Sequence, residues 1–268
     1  MKTQLIITHP GSAHFDEVTA VSLILAVQAD TEFSIERRQP VAAEMENIDV
    51  WVVDIGNKYE PEKRNFDHHQ DPDCPASFVL VAKYLGLLET MSVLPWWDFK
   101  DSVDRIGPFR SSIKYSAGDG LVNRNPVETW LVASFAANPE ACRPLLKTFG
   151  IHIIEGARRL KSQIDFWKAS PRLVIAGVPA IIGETWESAG LEEFRRLAEN
   201  PPDIVISLDR RSKGWRLFRY DGTPVDFSLI AERPEIAFAH NSGFMAKTRE
   251  RLAIDDLIAL VSQAVTGP

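Results

Sequence analysis

"QLIITHPGSAHFDEVTAVSLILAVQAD", Gln4 to Asp30, contains a strand, a loop and a helix in close succession. Gln4 to Thr8 is a short apolar run rich in Ile, the pattern of a buried strand. From Asp16 onward the chain has the length of a helix, and it opens on two acids, Asp16 and Glu17, which suit the positive end of a helix. The loop between them carries His9 and His14 in a chain with only six histidines.

The same alternation continues outward. "EFSIERR" alternates like a strand, and "DVWVVDI" is an apolar, β-branched run that ends at Asp54. Helices are predicted over Ser77 to Leu88, Trp97 to Ile106 and Val127 to Ala137, each closed by a Gly- or Pro-containing turn. Strands alternating with helices imply an α/β fold with a parallel sheet. Ile153, Ala157, Leu160, Ile164 and Trp167 then recur at helical spacing and predict a long amphipathic helix. After Pro171, "RLVIAGVPAIIGE", "DIVISLD" and "WRLFRY" read as strands, with "LEEFRRLAEN" helical between the first two. Two domains are expected: residues 1–170, including the linking helix, and residues 171–268, a smaller mixed α/β domain.

With 268 residues, 45% hydrophobic and 25% charged, the chain has an ordinary globular composition. A formal net charge of −7 argues against a protein that coats nucleic acid, although a local basic groove is compatible with it. Cys74 and Cys142 form no metal-type pair, and a reduced cytoplasmic setting is expected. No signal-peptide pattern is read in the first residues. The longest apolar run, Val21 to Val27, is far shorter than a membrane span of roughly 20 residues.

"FDHHQ", Phe66 to Gln70, sets an acid beside two more histidines. Five of the six histidines lie in three polar motifs, whereas His152 falls in a helical pattern and reads as structural. Taken singly, His9 beside Pro10 and Gly11 reads as a turn residue. Asp54 and Asp67 read equally as caps, and His68 with His69 as a solvated pair. Jointly they read otherwise. His9 and Asp54 each follow a predicted strand, and open parallel sheets bind ligands beyond the carboxyl ends of their strands. Imidazole with carboxylate is the donor set for manganese, zinc or iron.

"THPGSAHFDE", "VVDIGNKYEPEKRNFDHHQ" and "HNSGF" resemble motifs of the DHH phosphoesterase superfamily, and most nearly its melanocyte-proliferating-gene (Myg-type) branch. His9-Pro10-Gly11-Ser12-Ala13-His14-Phe15-Asp16-Glu17 keeps the spacing of that branch's opening motif. The resemblance implies two divalent ions, most often manganese. His9, His14 and Asp54 would hold one ion, and Asp16, Asp54 and His68 the other, with Asp54 bridging. A helix would supply a further acid, Asp104 in preference to Asp101. His69 would contact the phosphoryl group and Asp67 would orient its neighbours. The C-terminal domain would bind substrate through a loop bearing His240, Gly243 and Lys247, with Arg249 adding charge. Arg37 and Arg38 end a predicted strand and face either solvent or the cleft, and Arg38 is taken as a substrate contact.

The expected activity is a manganese-dependent phosphodiesterase, an exonuclease acting on RNA or short single-stranded oligonucleotides. A small-molecule phosphatase, pyrophosphatase or cyclic-dinucleotide phosphodiesterase would use the same centre. A non-catalytic metal-binding scaffold is the alternative outside enzymology. The sequence indicates neither a partner protein nor an oligomeric state.

Overall fold

The computed structural model describes residues 3–117, 125–187 and 190–267. The chain forms two compact units, Met1–Arg159 and Leu160–Pro268. In the first, β1 (Gln4–Thr8), α1 (Phe15–Val27), β2 (Phe33–Arg37), α2 (Ala42–Met45), β3 (Val50–Val53), β4 (Tyr59–Glu60) and β5 (Asn65–Phe66) precede the helices. These are α3 (Ser77–Tyr84), α4 (Leu88–Met91), α5 (Trp97–Ile106), α6 (Pro108–Lys114), α7 (Pro126–Ala137) and the first two thirds of α8 (Pro139–Ala169).

The first sheet has the order β2-β1-β3-β5-β4, parallel except for its edge strand β4. All four residues of β3 are buried, as expected of a central strand covered on both faces. After β2 the chain returns across β1 to place β3 on its other side, so the topological switch point lies between β1 and β3. Helix α1 is buried continuously from Asp16 to Leu25. Helix α8 lies close against it: a Cβ added at Gly150 would overlap the Ser22 carbonyl oxygen. Trp51, at the middle of β3, stacks on Phe66 with ring centroids 5.9 Å apart.

The second unit contains β6 (Arg172–Ile175), β7 (Val178–Gly183), α9 (Leu191–Leu197), β8 (Ile204–Leu208), β9 (Trp215–Arg219), β10 (Ile236–Ala239), β11 (Met245–Thr248) and α10 (Ile254–Ser262). Its sheet runs β10-β11-β9-β8-β7-β6, antiparallel apart from the β7–β8 pair. The fold is therefore mixed α/β, with a parallel-rich first sheet and a second sheet of its own. The division falls within α8, whereas the sequence reading places it after that helix. The last turns of α8 belong with β7, for Gly183 leaves no room for a Cβ against Phe166 and Trp167.

The helix expected over Ser77 to Leu88 ends at Tyr84, and in the second unit two segments differ from the sequence reading. "RLVIAGVPAIIGE" forms two strands, because Ala176 and Gly177 take φ of 49° and 87° and turn β6 back on β7 as a hairpin. The segment around "HNSGF", expected as a loop, is the turn of the β10–β11 hairpin. Among the described residues, no helix is long and apolar enough to cross a membrane.

Candidate metal centre

Three parallel strands end at one place and release their polar residues there. His9 follows β1, Asp54 follows β3, and Asp67 and His68 follow β5. Asp54 takes a left-handed φ of 60°, a sparsely populated conformation for a residue with a Cβ.

His9 Nδ1 lies 2.9 Å from the Pro10 carbonyl oxygen. An N–H donated there fixes the tautomer of the neutral ring, in which Nε2 is the nitrogen open to a metal. That Nε2 lies 3.1 Å from Glu17 Oε1 and 3.5 Å from Asp54 Oδ2. His14 sits at the N-cap of α1, its ring centroid 5.1 Å from that of His9. His9, His14 and Asp54 each offer one atom within 4.8 Å of the others.

Asp16, Asp54, His68 and Asp104 form a second such group, with Asp54 common to both. His68 Nε2 is 2.8 Å from Asp104 Oδ2, 3.4 Å from Asp54 Oδ1 and 3.8 Å from Asp16 Oδ2. The N-terminus of α3 holds two of these acids. Asp16 accepts from the Ser77 and Phe78 amides at 3.1 and 2.7 Å, and the Ser77 hydroxyl donates to Asp54 at 3.1 Å. Of the two acids on α5 that the sequence reading weighs, Asp104 joins the group. Asp101 instead accepts from the Ala76 amide at 2.8 Å and pairs with Arg105 at 3.3 Å.

The donors fit a cation. Asp16, Asp54 and His68 are at most 6% exposed, and three carboxylates crowd one imidazole. His9 Nε2, His68 Nε2 and Asp54 Oδ2 are buried without an aligned hydrogen bond. Burying so much negative charge is costly unless it is compensated. In the metal-free cluster, compensation falls to protons. Glu17 at its Nε2 outweighs burial and pushes the His9 imidazole up to about 9. Burial opposes charge on His68, but Asp104, Asp54 and Asp16 together push it up to about 10. Burial, then the charges of Asp54 and Asp104, hold Asp16 well above the usual carboxylate range.

His69 is half-exposed, and its Nδ1 lies 2.6 Å from Asp67 Oδ1. Asp67 also accepts from the Asn57 and His69 amides at 2.6 and 3.1 Å. Although burial works against the charged form, these bonds hold Asp67 below its ordinary value. Asp67 thus fixes the His69 ring and directs its Nε2 away from the acid.

Sequence reasoning misses Glu17 and Ser77, and it prefers Arg38 where the structure favours Arg37. Glu17 is fully buried, accepts from the His14 amide at 3.1 Å and pairs with Arg37 at 3.0 Å. Its position next to Asp16 is the available signal. Arg37, which also donates to the Gly11 carbonyl at 3.0 Å, turns toward the His9 loop. Arg38 is not brought to the cluster: it is held on the surface by Glu36 at 2.5 Å and Glu44 at 2.6 Å. Neighbouring residues at a strand end face opposite ways, which separates the two arginines.

In the second unit, His240 Nδ1 accepts from the Ser242 amide at 3.2 Å, which leaves the proton on Nε2. Gly243, at φ 66°, has no space for a Cβ against Asp226, whose Oδ1 accepts from the Ser228 amide and hydroxyl. Lys247 is paired with Asp209 at 2.6 Å, and Arg249 donates to the Pro234 carbonyl at 3.0 Å.

Residues 5–74 match the family model MYG1_exonuc, described as an uncharacterised protein family (UPF0160). A MYG1 protein of Chlamydia trachomatis serovar D is 43% identical over 65 residues, covering 24% of this chain and 21% of that protein. A MYG1 protein of Caenorhabditis elegans is 37% identical over 68 residues, covering 25% and 19%. The matched stretch thus spans about a fifth of the length of these relatives. RecJ of Thermus thermophilus in complex with Mg2+ aligns over 98% of this chain and 49% of its own, at 10% identity and a TM-score of 0.31. An exonuclease RecJ bound to manganese aligns over 99% and 91%, at 12% and 0.32. Superpositions this loose decide neither fold nor chemistry. The sequence matches do carry weight: the resemblance to the Myg-type family is shown over residues 5–74, the segment that holds every candidate metal ligand except Asp104.

Proposed function

We propose that the chain is a cytoplasmic, metal-dependent phosphodiesterase that binds two divalent ions, manganese by preference, and acts on RNA or short single-stranded oligonucleotides. The observation that carries this reading is the convergence of Asp16, Asp54 and Asp104 on His68 Nε2 without an aligned hydrogen bond. Nitrogen and oxygen donors together favour manganese, zinc or iron over calcium. His9, His14 and Asp54 would hold one ion, and Asp16, Asp54, His68 and Asp104 the other.

When bound, such ions acidify a water and stabilise the charge on phosphoryl oxygens. The chain supplies the rest. Asp67 holds the Nδ1–H of His69, so that Nε2 is presented to the phosphoryl group. Ser77 and the α3 amides keep Asp16 and Asp54 in one orientation before substrate arrives. Glu17 and Arg37 fix the His9 loop. His240 presents an Nε2–H donor from the second unit for a substrate phosphate, while Gly243 shapes the turn that bears it.

The test is hydrolysis of bis-p-nitrophenyl phosphate and a labelled short RNA by purified protein with added Mn2+, beside Asp54→Ala. Stepwise shortening of the RNA that vanishes in the variant is the expected result. Cleavage of the small ester alone would shift the substrate to a small phosphodiester. Metal binding with neither ester cleaved would support a scaffold.

A further inference from the structure

Beside the metal donors lies a cavity of about 670 Å3, within the range of small-molecule sites. His14, Asp16 and Asp104 form part of its wall, and much of the remainder is apolar, including Phe15, Val103 and Val132. Its polar end is built differently from an anion site. Lys100 Nζ is 2.5 Å from Glu128 Oε1, and the two side chains are only 14% and 22% exposed. The same ammonium lies 4.9 Å from the centroid of the Phe15 ring.

We propose that this cavity is a nucleoside subsite, which takes the base and sugar attached to the phosphate at the metal centre and reads the base with Lys100 and Glu128. The proposal rests on the phosphodiesterase reading above. Charge decides the class of group. Lys100 is the only Lys or Arg among the described lining residues, and Glu128 already neutralises it. A second phosphate, as in pyrophosphate or a polyphosphate chain, would face the Glu128 carboxylate with no free cation to balance it. A neutral planar heterocycle instead covers the apolar wall, where such burial is favourable. An acid and an ammonium side by side match a base edge that offers an N–H beside a carbonyl. Guanine presents O6 to the ammonium and its N–H groups to the carboxylate, whereas adenine has no carbonyl to present.

Two variants and two readouts test this. The probe is guanosine 5′-monophosphate, titrated calorimetrically into the Mn2+-loaded protein, with adenosine 5′-monophosphate beside it. Wild type should bind the guanosine nucleotide more tightly, by about tenfold, the size of one lost hydrogen-bonded contact. Ala133→Trp, which fills the cavity, should abolish nucleotide binding while leaving Mn2+ affinity unchanged. Glu128→Gln keeps the shape and should erase the preference between the two bases. Failure of wild type to bind either nucleotide, or unchanged binding in Ala133→Trp, would overturn the subsite. Nucleotide binding with this pattern but no hydrolysis of any ester would uphold the subsite and remove the phosphodiesterase reading instead.

Discussion

Asp104 Oδ2 stands 2.8 Å from His68 Nε2, although one residue comes from α5 and the other from the loop after β5. The contact ties the helical layer to the strand ends, and it distinguishes two acids three residues apart. Asp104→Ala should weaken Mn2+ binding by more than about tenfold, at least the loss seen when an outer partner of a metal ligand is removed. Asp101→Ala should leave Mn2+ binding unchanged and cost about 1 kcal/mol of stability, because the Ala76 amide loses its acceptor. Titration calorimetry and urea unfolding of the two variants check this. The reverse pattern would put Asp101 in the site.

The metal-free cluster stores protons. The folded pKa values of His9 and His68 are raised to about 9 and about 10, above an unfolded value near 6.5. Their contribution to the stability of the metal-free protein is therefore fully present below about pH 6.5 and is lost as pH rises through 9 to 10. Metal ligation needs neutral imidazole, so Mn2+ must displace these protons. Binding at pH 7 should release the protons of both imidazoles, measured as a dependence of the calorimetric heat on buffer ionisation enthalpy. Apparent affinity should climb as pH rises toward 9. A binding heat that is the same in every buffer would remove the two histidines from the ligand set.

Most of the candidate site is legible in the sequence because its residues are attached to strand ends. His9 and Asp54 each come directly after a short apolar run, so the sheet's carboxyl edge gathers them once the runs are recognised as strands. Asp67 and His68 instead follow the two-residue β5, which the polar stretch before it does not announce, and are legible only as a histidine-rich motif. What is not legible depends on side-chain direction or on distant contacts. Asp101 and Asp104, three apart on a helix, share a face, and spacing cannot separate them. Arg37 and Arg38 differ by one position, and only the strand's exact end decides which one turns inward. Ser77 acts on Asp16 and Asp54 from more than twenty residues away in sequence, without any motif of its own. Lys247 reads as a free cation until the fold places Asp209 beside it.

Asp54 combines a central role with a strained backbone. Its φ of 60° is easy for glycine and unfavourable for a residue with a Cβ. Asp54→Gly and Asp54→Ala both remove the shared carboxylate and should both abolish Mn2+ binding. They should differ in stability, with the glycine variant more stable by about 1 kcal/mol because it alone relieves the strain. Chemical denaturation in the presence of chelator measures that difference. Equal stabilities would mean that the backbone relaxes without cost in the alanine variant.

The sheet of the first unit can present its strand ends only if α1, which carries Asp16 and Glu17, is held in place. Gly150 on α8 allows a close approach to α1, and a methyl group there would meet the Ser22 carbonyl oxygen. Backbone atoms cannot rotate aside as a flexible side chain can, so the two helices must separate. Gly150→Ala should therefore destabilise the protein by about 1–3 kcal/mol, the usual cost of overpacking. Gly156 lies further along the same helix with open space around it. Gly156→Ala should instead stabilise by about 0.5–1 kcal/mol, from helix propensity alone. Opposite shifts in melting temperature for the two substitutions are the expected outcome. Displacement of α1 in Gly150→Ala should also weaken Mn2+ binding, whereas Gly156→Ala should leave it unchanged. Stabilisation by both alanines would show that α8 does not bear on α1 at Ser22.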